Sequence, residues 1–307
     1  MYKIDIIGDI HGQFDALSKL LDKLGYYCTD GQWIPPTGRS LVFLGDLIDR
    51  GKKNREVVNT VRALVDQGVA ICLMGNHEFN AVQFHTPSEK GGYLREHSEK
   101  NIKQHQAFIN DYTNHKDELA ETIQWFASLP IAIETPDFRA IHACWSPNHL
   151  KNLRPDGIGW YMGDTPWVDA ADENLKIYET IETLLKGPEK ELPNDFKIPD
   201  KDNESRKSAR LAWWKEHPKT WEDAVDPSVD LQEHKTLEWE GKFLSYSLES
   251  KPIFFGHYWR TGKTKFDSKN AFCLDYSAGN GGYLTAYRFD TEDSSFEYEK
   301  IIQINVK

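Results

Sequence analysis

Cysteine is scarce in this sequence: four residues, at positions 28, 72, 144 and 273, in a chain of 307. They are too far apart to form a C-x-x-C pair, which excludes the usual zinc and thioredoxin-type redox motifs, and we expect reduced, mostly buried thiols. No apolar run approaches the roughly 18 residues that a membrane-spanning helix needs, and the first residues lack the order of a signal peptide. These absences predict a cytoplasmic protein that does not bind a membrane.

Positive charge is in deficit as well, with 37 Lys and Arg against 48 Asp and Glu and a net charge of −11. This balance argues against general binding to nucleic acid or to an anionic membrane surface. An anionic ligand would need locally concentrated positive charge. What is present is core material, since 39% of the residues are hydrophobic and 12% aromatic. The chain is therefore expected to fold.

The first third of the chain alternates strand-like and helix-like patterns. Residues 2–7 (YKIDII) are rich in β-branched residues and stop at Gly8. In residues 12–26 apolar residues recur at spacings of three and four, which predicts an amphipathic helix ended by Gly25. The pattern repeats, with strands predicted over 40–44 and 69–74 and a helix over 54–68. This β-α-β-α-β series predicts a parallel or mixed sheet covered by helices.

The middle of the chain changes character. Residues 99–129 are predicted to be mainly helical, and two strand-like runs follow at 131–134 and 138–143. Between about 146 and 250 Pro, Lys, Glu, Asp and Trp dominate, which predicts a cap of loops and short helices inserted into a single domain over residues 1–307. The clustered tryptophans of this insert could stack on a base or belong to the core: Trp160, Trp167, Trp213, Trp214, Trp221 and Trp239.

Strand patterns return after residue 251, and the last three, within residues 271–304, are predicted to be antiparallel neighbours.

Each of the first three predicted strands ends in a Gly followed by residues that can bind a metal, in GDIHG (8–12), GDLIDRG (45–51) and GNHE (75–78). The carboxyl ends of strands in open α/β sheets converge on one crevice, so we expect these polar residues to face each other: Asp9, His11, Asp46, Asp49, Arg50, Asn76 and His77. Carboxylate and amide oxygens mixed with imidazole nitrogens suit divalent Mn, Fe or Zn. His142 and His257 also follow strand-like runs and fit the same crevice.

Each of these signals alone has a simpler explanation. A single Gly-Asp after a strand is usually a turn whose Asp caps the next helix, and His142 or His257 alone would more often be structural. Three such strand ends in order favour a shared site. The remaining histidines lie in polar or helical contexts and are expected at the surface: His85, His97, His105, His115, His149, His217 and His234.

The ordered pattern G-D-x-H-G, G-D-x-x-D-R-G, G-N-H-E, a His after a strand and G-H spans residues 8–257. In this pattern the chain resembles the calcineurin-like metallophosphoesterases, and within them the bacterial protein Ser/Thr phosphatase type, which is related to diadenosine tetraphosphate hydrolases. The resemblance implies an α/β (α+β) fold, a β-sandwich of mixed sheets flanked by helices. It also implies two divalent metal ions, for which we expect Mn, with Fe or Zn as alternatives.

The resemblance also implies residue roles. Six residues would hold the metals: Asp9 and His11 one ion, Asp46 both, and Asn76, His142 and His257 the other. His77 would protonate the leaving-group oxygen while Asp49 orients its ring. Arg50 would bind the phosphate through its planar fork, with a surface ion pair as the alternative.

Departures from the family pattern leave some positions open. The last motif, GHYW, lacks the second His of G-H-x-H, which favours the protein-phosphatase type, and His142 lies in IHACW rather than in H-G-G. No motif locates the family's second phosphate-binding Arg. Arg260 is the candidate, with a solvated surface Arg as the alternative. In LDYSAGNGGYLTAYRF (274–289), Asp275, Asn280, Gly281 and Gly282 could face the site or form a tight hairpin.

Three functions are compatible with these residues. The leading hypothesis is hydrolysis of phosphomonoesters on a phosphoprotein or a small molecule, by attack of a metal-bridging hydroxide, in a Ser/Thr phosphatase-like enzyme. The second is hydrolysis of a phosphoanhydride in a dinucleoside polyphosphate. The third, of another class, is a metal-binding scaffold without turnover, which is weakened because every ligand position and the pair His77 and Asp49 are present.

Overall fold

The structure, a computed structural model, describes residues 3–193, 198–199, 205–227, 229–293 and 295–307. Its strands are β1 (Lys3–Ile7), β2 (Tyr27–Thr29), β3 (Gln32–Ile34), β4 (Arg39–Phe43), β5 (Ala70–Cys72), β6 (Ala132–Glu134), β7 (Arg139–Ile141), β8 (Arg154–Asp156), β9 (Gly159–Tyr161), β10 (Glu189–Glu191), β11 (Ile198–Pro199), β12 (Ser205–Arg206), β13 (Ser208–Arg210), β14 (Ile253–Phe255), β15 (Ala271–Cys273), β16 (Asp275–Tyr276), β17 (Tyr283–Asp290) and β18 (Ile301–Asn305).

The α-helices are α1 (Phe14–Leu24), α2 (Asn54–Asp66), α3 (Asn76–His85), α4 (Glu99–Tyr112), α5 (Lys116–Ser128), α6 (Pro147–Leu150), α7 (Lys176–Lys186) and α8 (Trp221–Ala224). Short 3₁₀ turns occur at Asp169–Ala171, Gln232–Thr236, Ala278–Asn280 and Tyr298–Lys300. None of the helices in the described ranges is long and apolar enough to cross a membrane.

Two six-stranded sheets are present within the described residues. The first has the order β16-β17-β1-β4-β5, and β18 also pairs with β17. Strands β1, β4 and β5 are parallel, as predicted. The second has the order β15-β14-β7-β6-β9-β8, in which β15, β14 and β7 are parallel. Both sheets are therefore mixed, which confirms the predicted fold class.

Alternation along the strands places side chains in two separate cores. Ile6, Val42 and Phe254 belong to a cluster drawn from strands of both sheets, whereas their neighbours Ile7 and Phe43 belong to the larger cluster that includes the helices. Successive side chains of a strand point to opposite faces of its sheet. The two sheets thus pack face to face, with helices on the outer faces. Because their strands are buried on both sides, the sequences of these strands are continuous apolar runs.

The predicted antiparallel arrangement of the last strands is correct for β16, β17 and β18 and wrong for residues 271–273. β15 pairs in parallel with β14 in the second sheet, and two residues later β16 pairs antiparallel with β17 in the first sheet. One apolar run thus crosses between the sheets, which its alternation alone does not reveal.

The predicted cap over residues 146–250 divides into two parts. Its first part joins the main fold, because β9 pairs with β6 and because Ile181 and Leu184 of α7 lie in the larger core. Several of the described residues between Leu192 and Phe243 form a small hydrophobic cluster of their own, whereas Trp213 and Trp214 in the same stretch belong to the larger core. Four of the six tryptophans of this region pack in or against the larger core, and Trp221 and Trp239 pack in or against the small cluster. Trp213 and Trp214 are almost completely buried.

Candidate metal centre

The polar residues predicted at the strand ends lie together at the carboxyl edges of the two sheets. Asp9 and His11 follow β1, Asp46 follows β4, and Asn76 and His77 open α3 after β5. Because β7 and β14 are parallel neighbours in the second sheet, His142 and His257 follow their strands on the same side. The loops are cross-bonded: the amides of Ile10 and His11 donate to the Asp46 carbonyl at 3.0 and 2.9 Å.

The backbone at this edge adopts unfavourable conformations. His11, Asp46, Asp49, Arg50 and His257 have φ values of 51°, 51°, 71°, 64° and 66°, in the left-handed region that side chains other than Gly avoid. Strain of this kind costs energy and is found at functional sites, where the surrounding structure holds it in place. Gly75 permits a close approach, because a Cβ there would lie 2.3 Å from the Asp46 amide nitrogen.

Two groups of side chains in the described residues could each hold a metal ion. His11, Asp46 and His77 form one, and Asp46, His142 and His257 form the other, with the candidate ligand atoms of each group within 4.8 Å of one another. Asp46 belongs to both groups. One of its oxygens lies 3.6 Å from His11 Nε2 and the other 3.4 Å from His142 Nε2. This is the placement expected of a bridging carboxylate.

The remaining two predicted ligands border these groups. Asn76 Oδ1 lies 3.1 Å from His142 Nε2, and the Asp9 carboxylate accepts the backbone N–H of His257 at 3.2 Å. The structure thus brings all six predicted metal ligands together.

Two of the histidines have their ring orientation fixed by backbone carbonyls. His11 Nδ1 donates to the Ile48 carbonyl at 2.9 Å, and His142 Nδ1 donates to the Leu44 carbonyl at 2.8 Å. With the proton on Nδ1, each Nε2 presents its lone pair to the cluster, which is how metal-ligating histidines are held.

The charge state of the cluster fits a divalent cation. Burial, with neighbouring His77, lowers the pKa of His11 to about 3, and burial with nearby Arg210 and His142 lowers the pKa of His257, so both rings are neutral. Burial and the carboxylates of Asp275 and Asp46 raise the pKa of Asp9. His257 Nε2 is buried with no hydrogen-bond partner among the described residues. A metal ion would satisfy this atom and offset the crowded carboxylates.

His77 belongs to the first of these groups but is not one of the six predicted ligands, and it forms a hydrogen-bonded pair with Asp49. His77 Nδ1 lies 2.5 Å from Asp49 Oδ2, and His77 Nε2 lies 3.8 Å from the nearer Asp46 oxygen. Burial lowers the pKa of His77, but Asp46 and Asp49 outweigh it and the net shift is upward. The ring can therefore carry a proton on Nε2 toward the cleft.

A family model for the calcineurin-like phosphoesterases matches residues 2–258. The chain belongs to this family.

Relatives with curated names include the asymmetrical bis(5'-nucleosyl)-tetraphosphatases PrpE of Halalkalibacterium halodurans, 47% identical over 75 residues, and of Bacillus subtilis, 45% identical over 73 residues. Each match covers 24% of this chain and 30% of the relative. Solved structures that match this chain include a protein-tyrosine phosphatase from Shewanella (16% identical, TM-score 0.49, covering 100% of this chain and 78% of that one). Another is a Saccharomyces cerevisiae Ser/Thr phosphatase (16% identical, TM-score 0.48, covering 99% and 79%).

In this phosphoesterase the cluster of candidate metal ligands opens into a cleft of about 1410 Å³. Arg50 lines the cleft, and its guanidinium donates to Asn280 Oδ1 at 3.3 Å. Asp275 and Asn280 line it too, so the 274–289 segment both faces the site and forms the β16–β17 turn. Gly281, with a φ of 76°, serves that turn and is not among the described lining residues.

The prediction that Arg260 binds phosphate needs correction. Its guanidinium is buried and forms ion pairs with Asp226 at 2.7 Å and Asp267 at 2.6 Å, over the face of Trp214. Arg260 is not among the described residues that line the cleft. Arg210, at the end of β13, does line it. No sequence motif marks Arg210, because its chain segment reaches the cleft only through the fold of the cap.

One histidine expected at the surface is buried at the site. His105 on α4 is 5% exposed, and its Nδ1 lies 2.8 Å from Asp49 Oδ1. Helical spacing could have located it, since His105, Phe108 and Tyr112 form the buried face of α4. Glu78, quoted in GNHE without a role, is fully buried and accepts the amide hydrogens of Asp46, Leu47 and Gly75.

Proposed function

We propose that this phosphoesterase hydrolyses a phosphoanhydride bond of dinucleoside polyphosphates, using two divalent metal ions. The observation that carries the proposal is the charge along the cleft. Among the described lining residues, six are cationic: Arg50, Lys52, Arg95, Lys100, Lys103 and Arg210. Six acidic residues line the same cleft, but four of them, Asp9, Asp46, Asp49 and Asp275, lie at the candidate metal ligands, where bound cations would offset their charge. Away from these ligands the cleft carries Lys52, Arg95, Lys100 and Lys103 against Glu99 and Asp111. A polyphosphate carries several negative charges in a row and can contact cations well beyond the reacting phosphorus.

The side chains at the floor supply the groups that the reaction needs. Two bound divalent ions would clamp the phosphate oxygens and lower the pKa of the attacking water. Arg50, steadied by Asn280, and Arg210 would bind the non-bridging oxygens of the reacting phosphate. His77, held by Asp49, would give the proton on Nε2 to the leaving oxygen. The names of the PrpE relatives support the same substrate class.

Phosphomonoester hydrolysis, as in a Ser/Thr phosphatase, is the second candidate, and the His77–Asp49 pair favours it. An alkoxide leaving group is a strong base and needs a proton as its bond breaks, whereas a nucleotide phosphate leaves as a stabilised anion. A general acid is therefore more useful for an ester than for an anhydride. A silent scaffold is disfavoured by the intact pair and by the family.

The deciding experiment compares substrates under one metal condition. Chelator-stripped protein is supplied with Mn²⁺ and offered diadenosine tetraphosphate, a phosphothreonine peptide and an aryl phosphate, and the products are separated by anion exchange. We expect metal-dependent cleavage of the dinucleotide to AMP and ATP, or to two ADP, with a higher kcat/KM than for either ester. Faster hydrolysis of the phosphopeptide would support the second candidate instead.

The outer cations provide a test of substrate length. Lys100 and Lys103 lie on α4 and not in the ligand cluster, so the double change of both to Met should raise the KM for diadenosine tetraphosphate severalfold. The aryl phosphate, which reaches only the floor, should keep its KM. Lys116→Met, at the start of α5 and outside the described lining residues, is the control.

A further inference from the structure

Asp49 is held by two imidazole rings from two different helices. Its Oδ2 lies 2.5 Å from Nδ1 of His77 on α3, and its Oδ1 lies 2.8 Å from Nδ1 of His105 on α4. The Asp49 amide donates to Asn54 Oδ1 at 2.7 Å, so the backbone is anchored as well. Hydrogen bonds thus fix the orientation of both carboxylate oxygens of Asp49, whose backbone has a left-handed conformation.

His105 is itself held in one orientation. Its ring stacks on Phe108, with centroids 4.6 Å apart, and meets the edge of Phe84. Its Nε2 lies 3.2 Å from Nε2 of His85, the last residue of α3. With the His105 proton on Nδ1, its Nε2 accepts from His85, and a single chain of donors runs from His85 through His105 to Asp49.

We propose that His105 is a positioning residue for the reaction: by bonding Oδ1 of Asp49 it fixes the carboxylate plane, and through Oδ2 it fixes the ring of His77. The inference rests on the proposed function, in which His77 is the general acid. A carboxylate with one hydrogen bond can still rotate about its last side-chain bond, and His77 would turn with it. Small losses of orientation at a proton donor are costly, because proton transfer requires hydrogen-bond reach.

The first test compares two variants of His105 on two substrates. His105→Leu removes the donor, whereas the Nδ2 of His105→Asn can occupy the place of Nδ1. Phenyl phosphate needs protonation of its leaving group more than 4-nitrophenyl phosphate does. On phenyl phosphate, His105→Leu should lower kcat at least about tenfold, and by no more than the roughly 10²- to 10⁴-fold that a general acid contributes, with KM unchanged. The loss on 4-nitrophenyl phosphate should be clearly smaller, and His105→Asn should restore most of the rate.

A variant of His77 tests whether the two histidines act through one step. In a His77→Asn background, His105→Leu should cause no further loss. His149→Leu, which removes a part-buried histidine bonded to Ser146 away from the cleft, is the matched control and should leave the ratio of the two substrates unchanged. Equal losses on both substrates, additive losses with His77→Asn, or no loss at all would overturn the proposal.

A measurement without turnover separates this proposal from the proposed function. Proton NMR of the whole protein should show low-field imidazole N–H resonances for His77 and His105, both bonded to Asp49. His105→Leu should remove one and shift the other, because the remaining bond to Asp49 changes geometry. An unshifted His77 resonance would refute the positioning role. If the wild-type protein hydrolyses no substrate, the proposed function fails, and the shift alone decides the role of His105.

Discussion

The carboxylate of Glu78 accepts the backbone N–H of Asp46 at 2.8 Å, so a fully buried side chain fixes the backbone of the candidate bridging ligand. The same carboxylate accepts the amides of Leu47 at 2.8 Å and Gly75 at 3.0 Å. Glu78 thus joins the loop after β4 to the start of α3. The two segments that carry Asp46, Asn76 and His77 keep a fixed relation to each other.

Glu78→Gln should weaken both the fold and metal binding. A Gln keeps one acceptor oxygen and turns an N–H toward a backbone N–H, which leaves at least one buried donor unsatisfied at a cost of about 1–3 kcal/mol. We expect the free energy of unfolding in urea to fall by that amount, and the affinity for Mn²⁺ to fall roughly 10- to 100-fold. Glu249→Gln, in an exposed ion pair with Lys269, is the control. Equal stability of Glu78→Gln and wild type would contradict this account.

Arg260→Met should affect stability and not substrate binding. The change removes a guanidinium that forms an ion pair with each of two buried carboxylates, Asp226 and Asp267, and breaking a buried ion pair costs about 3–5 kcal/mol. Urea unfolding should show that loss, while KM measured on the folded fraction should stay near the wild-type value. Arg154→Met, at an exposed pair, should change neither. A raised KM with normal stability would restore the phosphate-binding role predicted from the sequence.

The sequence identifies those site residues that lie in a short motif directly after a predicted strand. Asp9, Asp46 and Asn76 each follow a strand within one short motif, and parallel strand ends must converge. Arg260 and His105 show the limit. The polar, helical context of His105 predicts a surface position, and Arg260 is a candidate for the cleft because it lies three residues after His257. Each is instead buried and paired with a carboxylate distant in sequence, Asp49 for His105 and Asp226 for Arg260. A long-range pairing of this kind exists only once the fold is formed.

The tryptophans and the last strands show the same limit for packing. An aromatic-rich insert is compatible with base stacking or with a core, and the choice depends on what lies opposite each ring, as Phe255 does for Trp214. Likewise the 271–276 run reads as one strand, since every residue in it is buried, although it serves two sheets. Burial on all sides removes the alternation that would have marked the crossing.

Asp46→Asn should remove the second metal ion while preserving the fold. The side-chain amide of Asn keeps an oxygen that can accept the backbone N–H of His77, which in the wild type donates to Asp46 Oδ1 at 3.0 Å. Its loss of charge matters more, because Asp46 is the one carboxylate in the group with His142 and His257. Elemental analysis should show at most one Mn²⁺ per chain, turnover should be undetectable, and circular dichroism should be unchanged. Asp66→Asn, at the end of α2, is the control. Retained activity would exclude Asp46 as the bridge.

The pH dependence of stability offers a test at His85, which binds no metal in this scheme. Burial, followed by His105 and His97, lowers the pKa of His85 to about 4, from an ordinary value of 6.5, although Asp49 opposes the shift. Between these values the unfolded chain binds a proton at His85 that the folded chain does not. Stability from this group is therefore complete above pH 6.5 and is lost as the pH falls toward 4.

His85→Gln isolates this contribution, because Gln can still donate to His105 Nε2 and does not titrate. Urea midpoints of both proteins in chelator at pH 7.5, 6.5 and 5.5 give the difference in free energy of unfolding. The wild type should lose stability relative to His85→Gln only below pH 6.5, by at most about 1.4 kcal/mol per pH unit, and by less because the ring is partly exposed. Parallel profiles would mean that His85 titrates normally in the folded protein, and that the donor chain from His85 through His105 does not hold the ring neutral.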